Sequence, residues 1–425
     1  MRAPKANRAF LDTRTPSAEN SHMRRPLAGI RVLDLSIWQQ GTYATALLAD
    51  LGADVIKVEE PVSGDPGRYF DVVRGLGLSA YFEAHNRGKR SLAVDLKDQR
   101  GRDVLLAVAK HADVFLTNFR AGAVARMGLT YEALSAANPG IVYVQASGHG
   151  NYGDEADLGS FDILAQARGG LMSMTGEPDD PPLPAGIPIA DQVGALHATI
   201  AVLAGLAGRN ADGRGVRIDT SLLGSQLSLQ AFNITKHLFS GELASRRPRG
   251  GTTPFWRVYR AGDSRWFVIG MLLDRAWPQV AHAIGRPDLA ADERFATYRK
   301  RTVEHGAELI AELDAVFATA PAAEWIARLN EAGMFAAPVQ DYADVASDPQ
   351  VIANGYIQDV PHPGGAPVRL VGSGLALDGE PLRIERLAPQ HGEHTEAVLL
   401  EAGFTWDEIV RLREDGVVGP RRAGE

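Results

Sequence analysis

A chain of 425 residues, 45% hydrophobic and 23% charged, has the make-up of a globular protein of two or three domains. Its 44 Lys+Arg against 52 Asp+Glu leave a net charge of -8, which argues against nucleic acid as a partner of the chain as a whole. The absence of cysteine removes disulfides, thiolate nucleophiles and Cys-based zinc or iron–sulfur sites. Residues 1–25 hold Arg2, Lys5, Arg8, Arg14, Arg24 and Arg25 but no apolar run long enough for a secretory signal. Ser21-His22-Met23 looks like a cloning remnant or a downstream start, so this stretch is expected to be a disordered or non-native tail. A cytoplasmic location is the default.

From Gly29 short β-branched runs alternate with helical periods. Ile30 to Leu35 reads as a strand, Thr42 to Leu51 as a helix closed by Gly52, and Asp54 to Val58 as a second strand. Ser91 to Leu96, Asp113 to Asn118 and Ile141 to Ala146 follow as strands, separated by helical segments near Asp98 to His111 and Ala121 to Ala137. Such alternation predicts an α/β fold with a parallel sheet covered by helices. Ligands of such sheets bind beyond the carboxyl ends of the strands. Ser36 to Gln40, Lys97, Asn118 to Arg120 and Ser147 to Gly150 are therefore expected to share one crevice.

After Gly176 to Pro188, rich in Gly, Pro and Asp, a small-residue helix is expected over Gln192 to Gly208 and a strand over Val216 to Thr220. The longest apolar stretch, Gly194 to Gly208, is about 15 residues with His197 inside it, too short to span a bilayer. A buried helix and no membrane partner are expected. The first domain is placed at residues 26–225. A hairpin of Phe255 to Tyr259 and Trp266 to Met271 opens a smaller α+β domain at residues 246–345, with helices near Ala276 to Ile284, Val303 to Phe317 and Ala322 to Ala332. Residues 346–370 read as a linker, and 370–420 as a β-rich piece up to Ile384 followed by a helix pair near His394 to Leu412.

Gly148-His149-Gly150-Asn151-Tyr152-Gly153 matches a dinucleotide fingerprint after a strand, but Asp154, Glu155 and Asp157 follow where the pyrophosphate would sit, so a loop is expected instead. No P-loop, nucleophile elbow or H-E-x-x-H occurs, and no metal site is expected. Asp191 stands just before the expected helix. Spacing leaves two roles open: a helix cap, or an ionised nucleophile whose target carbonyl is polarised by neighbouring backbone amides. Lys89, Arg90, Lys97, Arg120 and Arg126 are the local cations. Asn118-Phe119-Arg120 would suit an adenine nucleotide with its phosphates, with a solvated surface as the alternative.

Eight segments in order carry a resemblance: PLAGIRVLDLS (26–36), LGADVIKVE (51–59), NRGKRS (86–91), VDLK (94–97), NFRAG (118–122), AQARGG (165–170), TG (175–176) and GEHT (392–395). Together they resemble the class III CoA-transferase family (CaiB/BaiF-like), that of formyl-CoA transferase and carnitine CoA-transferase, over nearly everything from Pro26 to about Arg413. The resemblance implies a Rossmann-like large domain completed by both ends of the chain, a small domain between, and an interlocked-ring homodimer. It implies that Asp191 is the nucleophile and that Gln39 and Gln40 lie near the acyl group. It also implies that Lys97, Asn118, Phe119, Arg120, Ala123 and Arg126 line the CoA site. Glu60 departs from formyl-CoA transferase, which has an arginine there near the adenine.

The implied reaction takes an acyl-CoA donor and a carboxylic acid acceptor. Asp191 attacks the thioester to give a mixed anhydride and CoA thiolate, which re-attacks to form an aspartyl-CoA thioester; the acceptor then reverses these steps. Coenzyme A thioester is a cosubstrate, and no tightly bound cofactor is expected. Gly250-Gly251 is a candidate lid against water. The alternative is an acyl-CoA racemase or intramolecular CoA isomerase of the same superfamily. Racemases carry a histidine before the acid where this chain has Phe161-Asp162, and Phe can serve as neither acid nor base. Phe255, Trp256, Trp266 and Met271 hint at a bulky acyl group, although aromatics in a hairpin are more often core.

Overall fold

The computed structural model describes residues 25–248, 251, 253–270 and 274–421. Of the expected tail only Arg25 falls within this range, and Gly250 of the expected lid and Met271 lie outside it.

Six strands form one all-parallel sheet: β1 (Arg31–Leu35), β2 (Asp54–Glu59), β3 (Arg90–Ala93), β4 (Val114–Thr117), β5 (Val142–Ser147) and β6 (Arg217–Ser221). Their order is β3-β2-β1-β4-β5-β6, with Leu33 opposite Ile56 on one side and Phe115 on the other. Alternate residues feed opposite cores, as the two-residue period of a strand requires. Leu33, Ile56, Leu92, Phe115 and Tyr143 pack with α3 (Gln99–Ala109) and the C-terminal Val398, Leu399 and Ile409. Val32, Val55, Val114, Val142 and Val144 pack on the other face with α1 (Gln40–Asp50) and α7 (Ile189–Asp212). The strand order reverses between β1 and β4. Their carboxyl ends therefore open a crevice at the switch point, where the Ser36 to Gln40 and Asn118 to Arg120 segments emerge.

The apolar helix α7 spans 24 residues, longer than the expected Gln192 to Gly208 at both ends. Its segment Ile189–Arg209 is long and apolar enough to cross a membrane, which corrects the expectation of a stretch too short to do so. Half of its most apolar window is buried against α1, β5 and β6, while Leu196, Ile200 and Leu203 stay exposed along its outer face. Two helices not assigned from the sequence follow β6: α8 (Leu222–Leu229) and α9 (Ala231–Ser240), the second with no buried residue.

The hairpin Trp256–Arg260 and Trp266–Gly270 gains a third antiparallel strand, Ala336–Pro338. Helices Trp277–Ala283, Gly306–Phe317 and Ala322–Glu331 enclose a core of Tyr259, Phe267, Phe295, Phe317 and Trp325. Phe255 belongs to that core, as aromatics of a hairpin more often do, and Trp256 and Trp266 lie on the outer side. The stretch read as a linker carries a short helix, Pro349–Ala353, and a hairpin of Ile357–His362 with Gly365–Val371. The C-terminal segment returns to the sheet edge. Ala93 N donates to Thr395 Oγ1 at 3.1 Å, and Val418 bridges to Val94.

Candidate active site

Past Leu35 the chain turns into α1 through Trp38, whose φ of +62° is a left-handed conformation costly for a bulky residue. Side chains from four other elements hold this turn. Asn118 accepts from Ile37 N at 3.1 Å and donates to Ile37 O at 2.7 Å, gripping one peptide unit from both sides. Lys57 Nζ donates to Ser36 O at 2.9 Å and Lys89 Nζ to Thr42 O at 2.8 Å, while Thr42 Oγ1 donates to Trp38 O. Lys57 pairs with Asp65 at 2.7 Å and Lys89 with Asp34 at 2.8 Å, all four side chains sealed from solvent. Ions so buried are tolerable only when paired and hydrogen-bonded. Burial pushes the Lys89 ammonium down to about 8, against the pull of Asp34. The turn carrying Gln39 and Gln40 is thus fixed before any ligand arrives.

Asp191 is not a cap. Helix α7 begins at Ile189, so Asp191 lies within its first turn, and Pro188 in the cap position offers no side-chain acceptor. Asp162, at the start of α6 (Asp162–Arg168), takes that role from 29 residues away. Its Oδ1 accepts from Ala190 N at 2.6 Å and Asp191 N at 3.1 Å, and its Oδ2 from Gln166 Nε2 at 2.5 Å. Those amides are therefore occupied and cannot polarise an attacked carbonyl, contrary to expectation. Burial, with the Asp162 carboxylate adding to it, pushes the Asp191 carboxyl up to about 7. The fully ionised carboxylate expected from a helix N-terminus is replaced by one half-protonated near neutral pH.

A cavity of about 220 Å³ is lined by Asp191, Gln39, Gln40, Asn118, Phe119 and Arg120, with Phe161 and Gly148 on its wall. Gln40 Nε2 is buried there without a hydrogen-bond partner. It rests on Gly194 of α7, where a Cβ would come within 2.9 Å of it. The Gly148 of the rejected fingerprint has a packing role, because a Cβ there would lie 2.4 Å from Ser160 Cβ. Arg120 is likewise packed over Gly159, where a Cβ would meet Nη2 at 2.2 Å.

A second cavity of about 330 Å³ shares Ile37 and Phe119 with the first. Leu35, Val58, Val94, Leu96 and Met127 make it apolar, and Lys97, Glu60 and Asp95 stand at its edge. Glu60 is spent locally, accepting from Val62 N at 3.0 Å and Ser63 N at 2.6 Å. Of the expected site residues, two line neither cavity: Ala123 is half-buried in α4 (Ala121–Arg126) and Arg126 is exposed at its end. Sequence reasoning missed Tyr81, whose ring meets Trp38 edge-on at 6.4 Å and whose phenol is raised by burial and by the Asp191 and Asp65 charges. No local pattern marks it. Among the described residues no group of acids and histidines could hold a metal ion.

The family model for CoA-transferase family III matches residues 27–395. The chain is 32% identical to the succinyl-CoA–D-citramalate CoA-transferase of Chloroflexus aurantiacus, over 93% of this chain and 98% of that protein. It is 33% identical to the formyl-CoA:oxalate CoA-transferase of Streptomyces avermitilis, over 93% and 100% respectively. The crystal structure of a CAIB/BAIF family protein from Brucella suis superposes with a TM-score of 0.80 at 33% identity, covering 89% of this chain and all of that one. With a match that spans most of the sequence and a shared α/β architecture, the chain belongs to CoA-transferase family III and is an enzyme of the CoA-transferase class.

Proposed function

We propose that this CoA-transferase moves CoA between carboxylic acids with Asp191 as the transient acyl carrier. The observation that carries the reading is a carboxylate without a cationic partner, raised to about 7, facing a cavity that adjoins a longer apolar one. The second cavity takes the nucleotide end of the coenzyme, with Lys97 at its edge. The pantetheine arm passes Ile37 and Phe119 and brings the thioester to Asp191. In its ionised form Asp191 attacks the thioester carbonyl; the C–S bond breaks, and CoA leaves as thiolate from a mixed anhydride. The thiolate attacks the aspartyl carbonyl and releases the donor acid. The acceptor carboxylate then attacks aspartyl-CoA, and the returning thiolate takes the acyl group.

Negative charge develops on the attacked carbonyl oxygen at each step. Because Asp162 occupies the first amides of α7, the donor for that oxyanion is the free Nε2 of Gln40, with Gln39 beside it. Short dicarboxylic acids suit a space this small, with Arg120 to pair the carboxylate that does not react. The names of several relatives, which act on oxalate, glutarate or mesaconate, point the same way. Two chains assemble as a homodimer over the exposed apolar faces of α7 to α9, where Ile200, Phe232 and Phe239 stand open to solvent.

Incubation with succinyl-CoA and other acyl-CoA donors, followed by intact mass spectrometry with hydroxylamine trapping, tests the carrier. An adduct on the wild-type chain that is absent from Asp191→Asn is expected. Absence of any adduct alongside deuterium uptake at an acyl-CoA α-carbon would move the reading to a racemase or isomerase.

A further inference from the structure

Four acidic side chains line the second cavity, Glu59, Glu60, Asp65 and Asp95, with Lys97. Three of them are accounted for. Glu59 pairs with Arg68 at 2.6 Å, Asp65 with Lys57 at 2.7 Å, and Glu60 caps its own turn. Asp95 accepts from Lys97 N at 2.9 Å through Oδ1, and its Oδ2 meets Arg421 Nη2 at 3.1 Å. The C-terminal return places this arginine beside Asp95, which lines the cavity. Gly419 N donates to Ala93 O at 2.9 Å and Arg421 N to Pro61 O at 2.9 Å, so the backbone around Arg421 is docked on the two segments that line the space. Gly416 makes room for the guanidinium, since a Cβ there would lie 2.7 Å from Nη1. Arg421 Nε is buried without a hydrogen-bond partner.

We propose that Arg421 binds the 3′-phosphate on the ribose of the coenzyme. The inference rests on the second cavity being the nucleotide site. With the thioester at Asp191, the diphosphate lies toward the shared wall of Ile37 and Phe119, and the ribose 3′ position toward the far edge, where Asp95, Lys97 and Arg421 stand. Asp95 fixes Nη2 of the guanidinium and Nε is buried, so a phosphate would be met by the terminal N–H groups on the part of the side chain that stays exposed. Without Arg421 the same edge would present an uncompensated carboxylate to that phosphate. The residue lies outside the stretch 27–395 that matches the family model.

Titration calorimetry with CoA and 3′-dephospho-CoA tests the assignment. The wild-type chain is expected to bind CoA about tenfold more tightly than the dephospho form, the value of one charge-assisted contact. Arg421→Ala is expected to weaken CoA about tenfold and leave 3′-dephospho-CoA unchanged. Equal weakening of both ligands, or weakening of neither, overturns the assignment. Failure of the transfer reading shows differently, as CoA bound with full discrimination but no adduct on Asp191. Absence of CoA binding to the wild-type chain overturns both.

Discussion

Two groups of buried acids lie within the same crevice and behave in opposite ways. Under the turn that carries Gln39 and Gln40, Asp34, Glu59 and Asp65 are each met by a cation. Burial alone would raise Glu59, yet Arg68 holds it at about 2, and Lys89 with Lys57 likewise holds Asp34 below the usual carboxylate range. At the start of α7, burial of Asp191 is met only by another carboxylate, Asp162, and the result is about 7. Burial is common to both; the partner decides the sign. The paired group makes a rigid platform, and the unpaired one is the carboxylate proposed above as the acyl carrier, its charge not masked by a cation.

Breaking the platform should cost most. Lys57→Met leaves Asp65 as an uncompensated buried charge and is expected to lower the unfolding free energy by about 3–5 kcal/mol. In urea denaturation the double variant Lys57→Met, Asp65→Leu should lose clearly less than the single one; an equal or larger loss would show that the pair is not what holds the turn. Next comes the donor facing Asp191. Gln40→Ala is expected to lower kcat for transfer by about 10²–10³ while the urea midpoint stays near that of the wild type.

The nucleophile should show the reverse of the platform. Its carboxyl is raised, so the folded chain keeps a proton that the unfolded chain releases near pH 4. Stability therefore falls as pH rises through the window from about 4 to 7. Asp191→Asn removes that loss, and at pH 8 it is expected to be more stable than the wild type by up to about 4 kcal/mol, with no gain at pH 4. A stability difference between variant and wild type that is the same at pH 4 and pH 8 would contradict the raised carboxyl. The smallest effect is the finest test. Adduct formation should rise with pH through about 7, and Asp162→Asn, which keeps a capping oxygen but loses the charge, should move that rise to lower pH.

The sheet was legible because each strand is a short β-branched run whose neighbours punctuate it, and a crevice at the carboxyl ends of the strands followed from the alternation with helices, whereas the strand order did not. What escaped depends on distance along the chain. Asn118 was singled out for its type, but its partner Ile37 is 81 residues away, so its grip on the turn could not be read from local pattern. Asp162 caps a helix 28 residues downstream for the same reason. Helix α9 carries an apolar side with Phe232, Leu238 and Phe239, but it buries none of its residues in its own chain and so adds nothing to the core that organised the reading of the sequence. The onset of α7 was displaced because Asp191 matched a capping residue better than Pro188, and propensity yielded to the longer-range cap.

The wall of Ile37 and Phe119 shared by the two cavities acts as a ruler. Its position is set by Asn118 and by the sealed lysines beneath, so the distance from the proposed nucleotide slot to Asp191 is a built-in length and not a property of the ligand. A thioester carrier with a shorter arm, anchored at the same far edge, would stop short of the carboxylate. Selection for the coenzyme is then made by reach before any acyl group is compared with another.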